Sequence, residues 1–218
     1  MSNHLGIAMA TAVLRQLLSE AIAAGPPGSV ESATVTTLRP QALAATDATA
    51  RGINLYLFRV VPNGAAWTVT LPARRTDGSL VARPAQAVDL HYLLTFSGDD
   101  TTLEPQRLLG LTVTALAVQP ILSRAAIADT VRDTLLSDPQ TWQQHADLGR
   151  QAEVVRMSML PLSVEDLTRL WSTLFQSPYR LSLAYQATVV VLEGAVHPAT
   201  PLPVSERTIT VTPATTDD

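Results

Sequence analysis

Asp89 and His91 stand two residues apart in a stretch that alternates as a strand, so both side chains point to one face. An imidazole beside a carboxylate is the arrangement that orients a general base, and the same two groups could supply two metal ligands. The rest of the chain offers this pair little support. There is no cysteine, which excludes disulfides and Cys-ligated zinc or iron–sulfur sites. There is no lysine, which removes Schiff-base chemistry and the lysine of a phosphate-binding loop. His145 and His197 lie in unrelated contexts. A structural or interfacial polar pair is the favoured reading, and a small-molecule or metal-dependent enzyme centred on Asp89 and His91 is its competitor.

Other chemistry-bearing groups divide in the same way. Ser97-Gly98-Asp99-Asp100 could suggest a calcium loop or a serine nucleophile, but it has neither the EF-hand spacing nor the G-x-S-x-G elbow. It reads as an acidic turn whose carboxylates favour the N-terminus of the helix that follows. Glu104 and Arg107, three apart, could pair locally at a solvated helix start, which contributes little. Trp171, Phe175, Tyr179 and Tyr185 form an aromatic cluster in a chain that is only 5% aromatic. Trp171 and Phe175, four apart, share a helix face. They either pin that helix to a sheet or form an interface, where aromatics and arginine are enriched. The interface candidates are Tyr179 and Arg180 in the turn, with Trp67, Arg74, Arg75 and Arg83 in an irregular stretch. No residue is assigned as catalytic, cofactor-binding or metal-ligating.

Composition narrows the classes further. A chain of 218 residues is long enough for one sizeable core. Charged residues make up 16%, below the roughly 25% usual for soluble domains. Such a surface suits a protein that buries much of its exterior against partners. The net charge of −4 argues against a broad phosphate-binding surface, hence against nucleic acid. The apolar stretch 5–24 is interrupted by Arg15, Gln16 and Glu20, and the opening residues lack the positive charge of a signal peptide. These features predict a cytoplasmic protein with no membrane insertion.

The elements that must position these residues follow from periodicity. Residues 5–24 predict a helix with Ile7, Leu14, Leu17, Leu18 and Ile22 on one side and Asn3 as N-cap. A short strand surrounds Val35, and 40–52 reads as a loop. Residues 53–61 predict an internal strand, with Ile53, Leu55 and Leu57 on one face and Tyr56, Phe58 and Val60 on the other. An irregular arm spans 65–87, although Asp77-Gly78 is a hairpin-type turn signal and Pro72 and Pro84 confine any strand there to an edge. Residues 88–96 predict a second central strand. Helices follow at 105–118, with Pro105 in its first turn, at 124–136 behind Ser123, and at 164–175 behind Ser163. Leu162 and Leu167 have the spacing of a hydrophobic staple. A short helical piece covers 139–148, a strand 153–161, and the longest strand 181–193. Residues 194–218 read as a Pro-rich connection, a final strand at 208–212 and a frayed tail.

Six segments in order carry a resemblance: TAVLRQLL (11–18), NLYLFRVVPN (54–63), DGSLVARP (77–84), LHYLLTFSGDD (90–100), LEPQRLLG (103–110) and LWSTLFQSPYRLSLAYQATVVVLE (170–193). None is a chemical motif. Together they resemble the N-terminal domain of the cap, or tail-terminator, proteins of contractile phage-tail-like injection systems. Length and the strand and helix pattern predict an α+β fold, a single domain over 1–218 with a mixed β-sheet covered by about four helices, and the resemblance makes it tail-terminator-like. The resemblance implies a structural protein; the absence of cysteine, lysine and any assembled His–carboxylate set predicts no catalytic activity, no cofactor and no tightly bound metal. Its partners would be itself, as a hexameric ring, and the inner tube and sheath of a particle that forms in the cytoplasm and can be released. A monomeric peptide-binding domain is a further alternative.

Overall fold

Val88, Leu90, Tyr92, Leu94 and Phe96 alternate along one strand, and each is buried on the same side. That strand organises the fold. In the computed structural model, the described residues are 2–25, 30, 32–42, 51–66, 73–74, 80–174 and 178–194. The strands are β1 (Thr34–Thr36), β2 (Gly52–Pro62), β3 (Ala73–Arg74), β4 (Leu80–Ala82), β5 (Ala85–Ser97), β6 (Ile121–Leu122), β7 (Val155–Met159) and β8 (Ser182–Glu193). Among the described residues, the helices with both ends placed are α1 (Gly6–Ala23), α2 (Glu104–Val118), α3 (Arg124–Ser137) and α4 (Val164–Thr173). Short 3-10 turns occupy Asp100–Thr102, Trp142–His145 and Leu148–Arg150.

Six strands form one mixed sheet in the order β1-β2-β5-β8-β7-β6. The β1–β2 pair is parallel and the remaining pairs are antiparallel. The three strands expected to be central are adjacent in the middle of the sheet. β5, with 13 residues, rather than β8, with 12, is the longest, because Ala85 to Ala87 belong to it and not to the arm. One sheet face packs on α1, α2 and α3 through Met9, Leu14, Leu18, Leu108, Leu116 and Ile127. The Tyr92 hydroxyl, buried deep in that layer, is accounted for: it lies 2.8 Å from Thr11 Oγ1. α1 is long and apolar enough to cross a membrane by length and composition. Its apolar stripe is instead spent on the core, where Met9, Val13, Leu14, Leu17 and Leu18 are buried.

Local chemistry explains several departures from the sequence reading. Asn3 is not the N-cap of α1, which is Leu5; its Oδ1 accepts from the Leu5 amide at 3.0 Å, and its Nδ2 donates to the His145 carbonyl at 2.7 Å. In β2 a bulge between Leu57 and Arg59 leaves Phe58 unpaired and reverses the alternation. Val60, expected beside Tyr56, pairs with Leu90 on the helix side and is 44% exposed. Arg59 pairs with His91 on the opposite face. Residues 40–42 are helical rather than loop, and the arm is not wholly irregular, since β3 and β4 pair with each other; Asp77 and Gly78 lie outside the described residues. Gly52 opens β2 at φ +149°, and a Cβ there would stand 1.9 Å from the Thr34 carbonyl oxygen. Only glycine allows β1 to pair so closely at that point. The expected strand at 208–212 lies outside the described residues.

The caps of the later helices follow the sequence. Ser123 Oγ accepts from the Ala126 amide at 3.1 Å and Ser163 Oγ from the Asp166 amide at 3.0 Å. Asp166 does not reach the Ser163 amide as a capping-box Glu would; its Oδ2 accepts from the Ser163 hydroxyl at 2.7 Å.

Candidate functional site

The register of β5 puts Asp89, His91, Leu93 and Thr95 on the face opposite α1. Asp89 and His91 share that face, as their spacing predicts, and both are buried. Their surroundings decide what they can do. Asp89 Oδ1 accepts from Asn63 Nδ2 at 2.8 Å, and Oδ2 accepts from Gln186 Nε2 at 2.9 Å. The carboxylate therefore ties β5 to the end of β2 and to β8. The His91 ring lies 6.0 Å from the Phe58 ring. Burial, then the Arg59 charge, lower its pKa from the ordinary 6.5, while Asp89 pulls the other way. The imidazole is thus held neutral near pH 7. Among the described residues, no group of three or more His, Asp or Glu is placed to hold a metal ion. The geometry makes Asp89 a cross-strand tie.

Asn63 continues that tie into the arm. Its backbone amide donates to the Ala87 carbonyl at 2.9 Å. Its Oδ1 accepts from the Ala65 and Ala66 amides at 3.0 and 2.8 Å, an Asx-type turn that aims the outgoing chain. On the returning side, Gly194 N donates to the Pro84 carbonyl at 2.8 Å, and Arg83 Nε lies 3.8 Å from Glu193 Oε1. Arg83 is thus an exposed residue at the arm's root. Arg74 lies in β3, in a ladder separate from the main sheet. Trp67 and Arg75 lie outside the described residues.

The far end of the central strands joins the two turns that stand out in sequence. The Arg180 guanidinium donates to Ser97 Oγ, and Phe96 N donates to the Leu181 carbonyl at 3.0 Å. A cleft of about 350 Å³ opens there, lined by Ser97, Gly98, Asp100, Pro105, Tyr179 and Arg180. Tyr179 is 65% exposed and its ring lies 5.3 Å from that of Trp171. Tyr185 does not join them. It pairs with Tyr92 and is buried in the helix-side core. Phe175 lies outside the described residues. Glu104 is also not the solvated helix start expected. It is buried, its Oε2 accepts from the Asp99 amide at 2.9 Å, and Arg51 Nε lies 3.6 Å away. Gly98 makes room for it, since a Cβ there would stand 2.6 Å from Glu104 Oε2.

Sequence reasoning takes Asn63 only as part of the Pro62-Asn63-Gly64 break that ends the strand, and passes over Gln186 and Arg51. The Asn63 signal was present as a turn-forming Asn before Gly64. Gln186 and Arg51 carry no local signal, because their partners are set by strand pairing.

Residues 9–206 match the family described as the Pvc16 N-terminal domain. A solved sheath/tube terminator of an extracellular contractile injection system, PVC, in its extended state, matches with a TM-score of 0.57 at 14% identity, over 96% of this chain and 65% of that one. The tube-terminating cap of the anti-feeding prophage matches with a TM-score of 0.48 at 16% identity, over 90% of this chain and 59% of that one. At such identity the likeness to the first is one of fold, and the chain spans under two thirds of either relative's length. No curated protein matches.

Proposed function

This chain belongs to the family of the Pvc16 N-terminal domain, and we propose on that premise that it terminates the tube and sheath of a contractile injection particle. The observation that carries the reading is the family match over 9–206 on a fold shared with a tube terminator. A helical tube ends in a surface that keeps recruiting copies, because heterologous contacts propagate until something closes them. A terminator matches that end on one side and offers no further copy of it on the other.

In this reading the whole of 1–218 acts as one domain, six copies close a ring through one repeated heterologous interface, and the partners are the inner tube and the sheath. The protein is structural. It needs no cofactor, inserts in no membrane and binds no nucleic acid. It is made in the cytoplasm and leaves with any particle that is released. The contacts are the interface candidates: Trp67, Arg74, Arg75 and Arg83 of the arm, whose root lies at one end of the central strands, and Tyr179 with Arg180 at the other end. Loops and turns on a rigid scaffold are where binding residues concentrate.

The native mass of the purified chain tests the ring. Six copies support it, whereas a monomer carrying stoichiometric metal would favour an enzyme at Asp89 and His91. Reversing two charges in the arm, Arg74→Glu with Arg75→Glu, is expected to weaken assembly and leave thermal unfolding unchanged. Unaltered assembly would remove the arm from the contact surface.

A further inference from the structure

Asn63 is the last residue held by the main sheet before the arm begins, and both ends of its side-chain amide are engaged. Its Oδ1 takes the two arm amides, Ala65 and Ala66, so the orientation of its amide is fixed: Nδ2 must face Asp89. Asp89 in turn faces two amide donors, Asn63 Nδ2 and Gln186 Nε2, and accepts from both. A carboxylate meets that demand because it has two acceptor oxygens and no donor. Burying a polar side chain is costly unless its hydrogen bonds are met, and here both carboxylate oxygens are met.

We infer that Asp89 is a positioning residue for the arm: through Asn63 it fixes the direction in which the chain leaves β2. The inference deepens the reading of the arm as a contact surface and rests on it for its role in assembly. A group that tied strands together only for stability could sit anywhere along β5. Asp89 instead bonds the side chain that also holds the first two arm amides, and Asn63 N is itself anchored to Ala87 in β5. The end of β2, together with β5 and β8, meets at this carboxylate, and the first two arm amides, Ala65 and Ala66, are anchored to it through Asn63.

The bonding pattern allows a swap test. In Asn63→Asp the acceptor for Ala65 and Ala66 survives, but a carboxylate now faces the Asp89 carboxylate. In Asp89→Asn one of the two contacts to Asn63 and Gln186 becomes donor against donor unless Gln186 turns over. In the double variant, Asn63→Asp with Asp89→Asn, the amide nitrogen introduced at position 89 can donate to the carboxylate introduced at position 63. The amide oxygen at position 89 still accepts from Gln186. Donor and acceptor have changed places, and the charge of the pair is conserved. The full-length chain and its variants are compared by amide hydrogen exchange at Ala65 and Ala66, and by the share of capped particles in cells producing each. Asn63→Asp is expected to exchange there about five- to tenfold faster, the effect of losing roughly one such hydrogen bond, and to cap poorly, whereas Asp89→Asn, where Gln186 can turn over and accept, is expected to change less. The double variant is expected to return towards wild type in both readouts. Exchange unchanged in Asn63→Asp, or as fast in the double variant as in Asn63→Asp, overturns the positioning role. Restored exchange with normal capping throughout would leave the positioning role standing and count against the arm as a contact surface. If a single variant fails to fold, recovery in the double still decides the matter.

Discussion

The His91 imidazole sits against the Phe58 ring with the Arg59 guanidinium on the paired residue of β2. Burial and Arg59 hold its pKa below the ordinary 6.5, against the pull of Asp89. The unfolded chain therefore takes up the proton at a higher pH than the folded one. Between the lowered value and 6.5 the unfolded state binds more protons, so stability rises with pH through that window. His91 costs nothing above 6.5 and becomes destabilising as the pH falls below it. Urea unfolding at about pH 7.5 and about pH 5 is expected to show a drop in midpoint that His91→Gln reduces. Equal drops in the two proteins would contradict this origin of the pH dependence. The spacing of Asp89 and His91 was enough to place them on one face. It could not show that Asn63 and Gln186 would engage the carboxylate, because those residues lie 26 and 97 positions away in the chain. Glu104 shows the same limit: a helix-start carboxylate reads as solvated until the Gly98 turn folds over it.

Elements were most legible where periodicity and caps agree. α3 and α4 begin behind the serines that cap them, and β5 shows its core face as an unbroken alternation. Bulges were not legible. The extra residue in β2 at Phe58, and the shift in β8 opposite Asp89, obey no alternation visible in either strand alone. Their consequence is local: the first half of β2 is covered while Arg59 and Val60 reach the surface. Hydrogen exchange is accordingly expected to be slowest along the paired stretches of β5 and β8, nearly as slow from Ile53 to Leu57, and faster from Arg59 to Pro62. Rapid exchange across Ile53 to Leu57 would refute the placement of β2 inside the sheet.

At the scale of the molecule, one face of the sheet is closed by α1, α2 and α3, while Arg83 and Arg180 lie at opposite ends of β5 and β8. That separation suits a block in a ring. In the proposed ring, the buried helical layer would keep the shape and the two ends would meet different partners. Low charge and the absence of cysteine and lysine were compatible with such a block and with much else. The ordered segments of the resemblance pointed to the family, and the fold agrees with it. The most direct test of termination is the length of particles assembled without this chain. Electron micrographs of a deletion strain are expected to show tubes or sheaths of uncontrolled length, or unstable ones, with uniform length restored when the chain is supplied in trans. Normal particles with uniformly closed ends in the deletion strain would show that this protein is not the terminator.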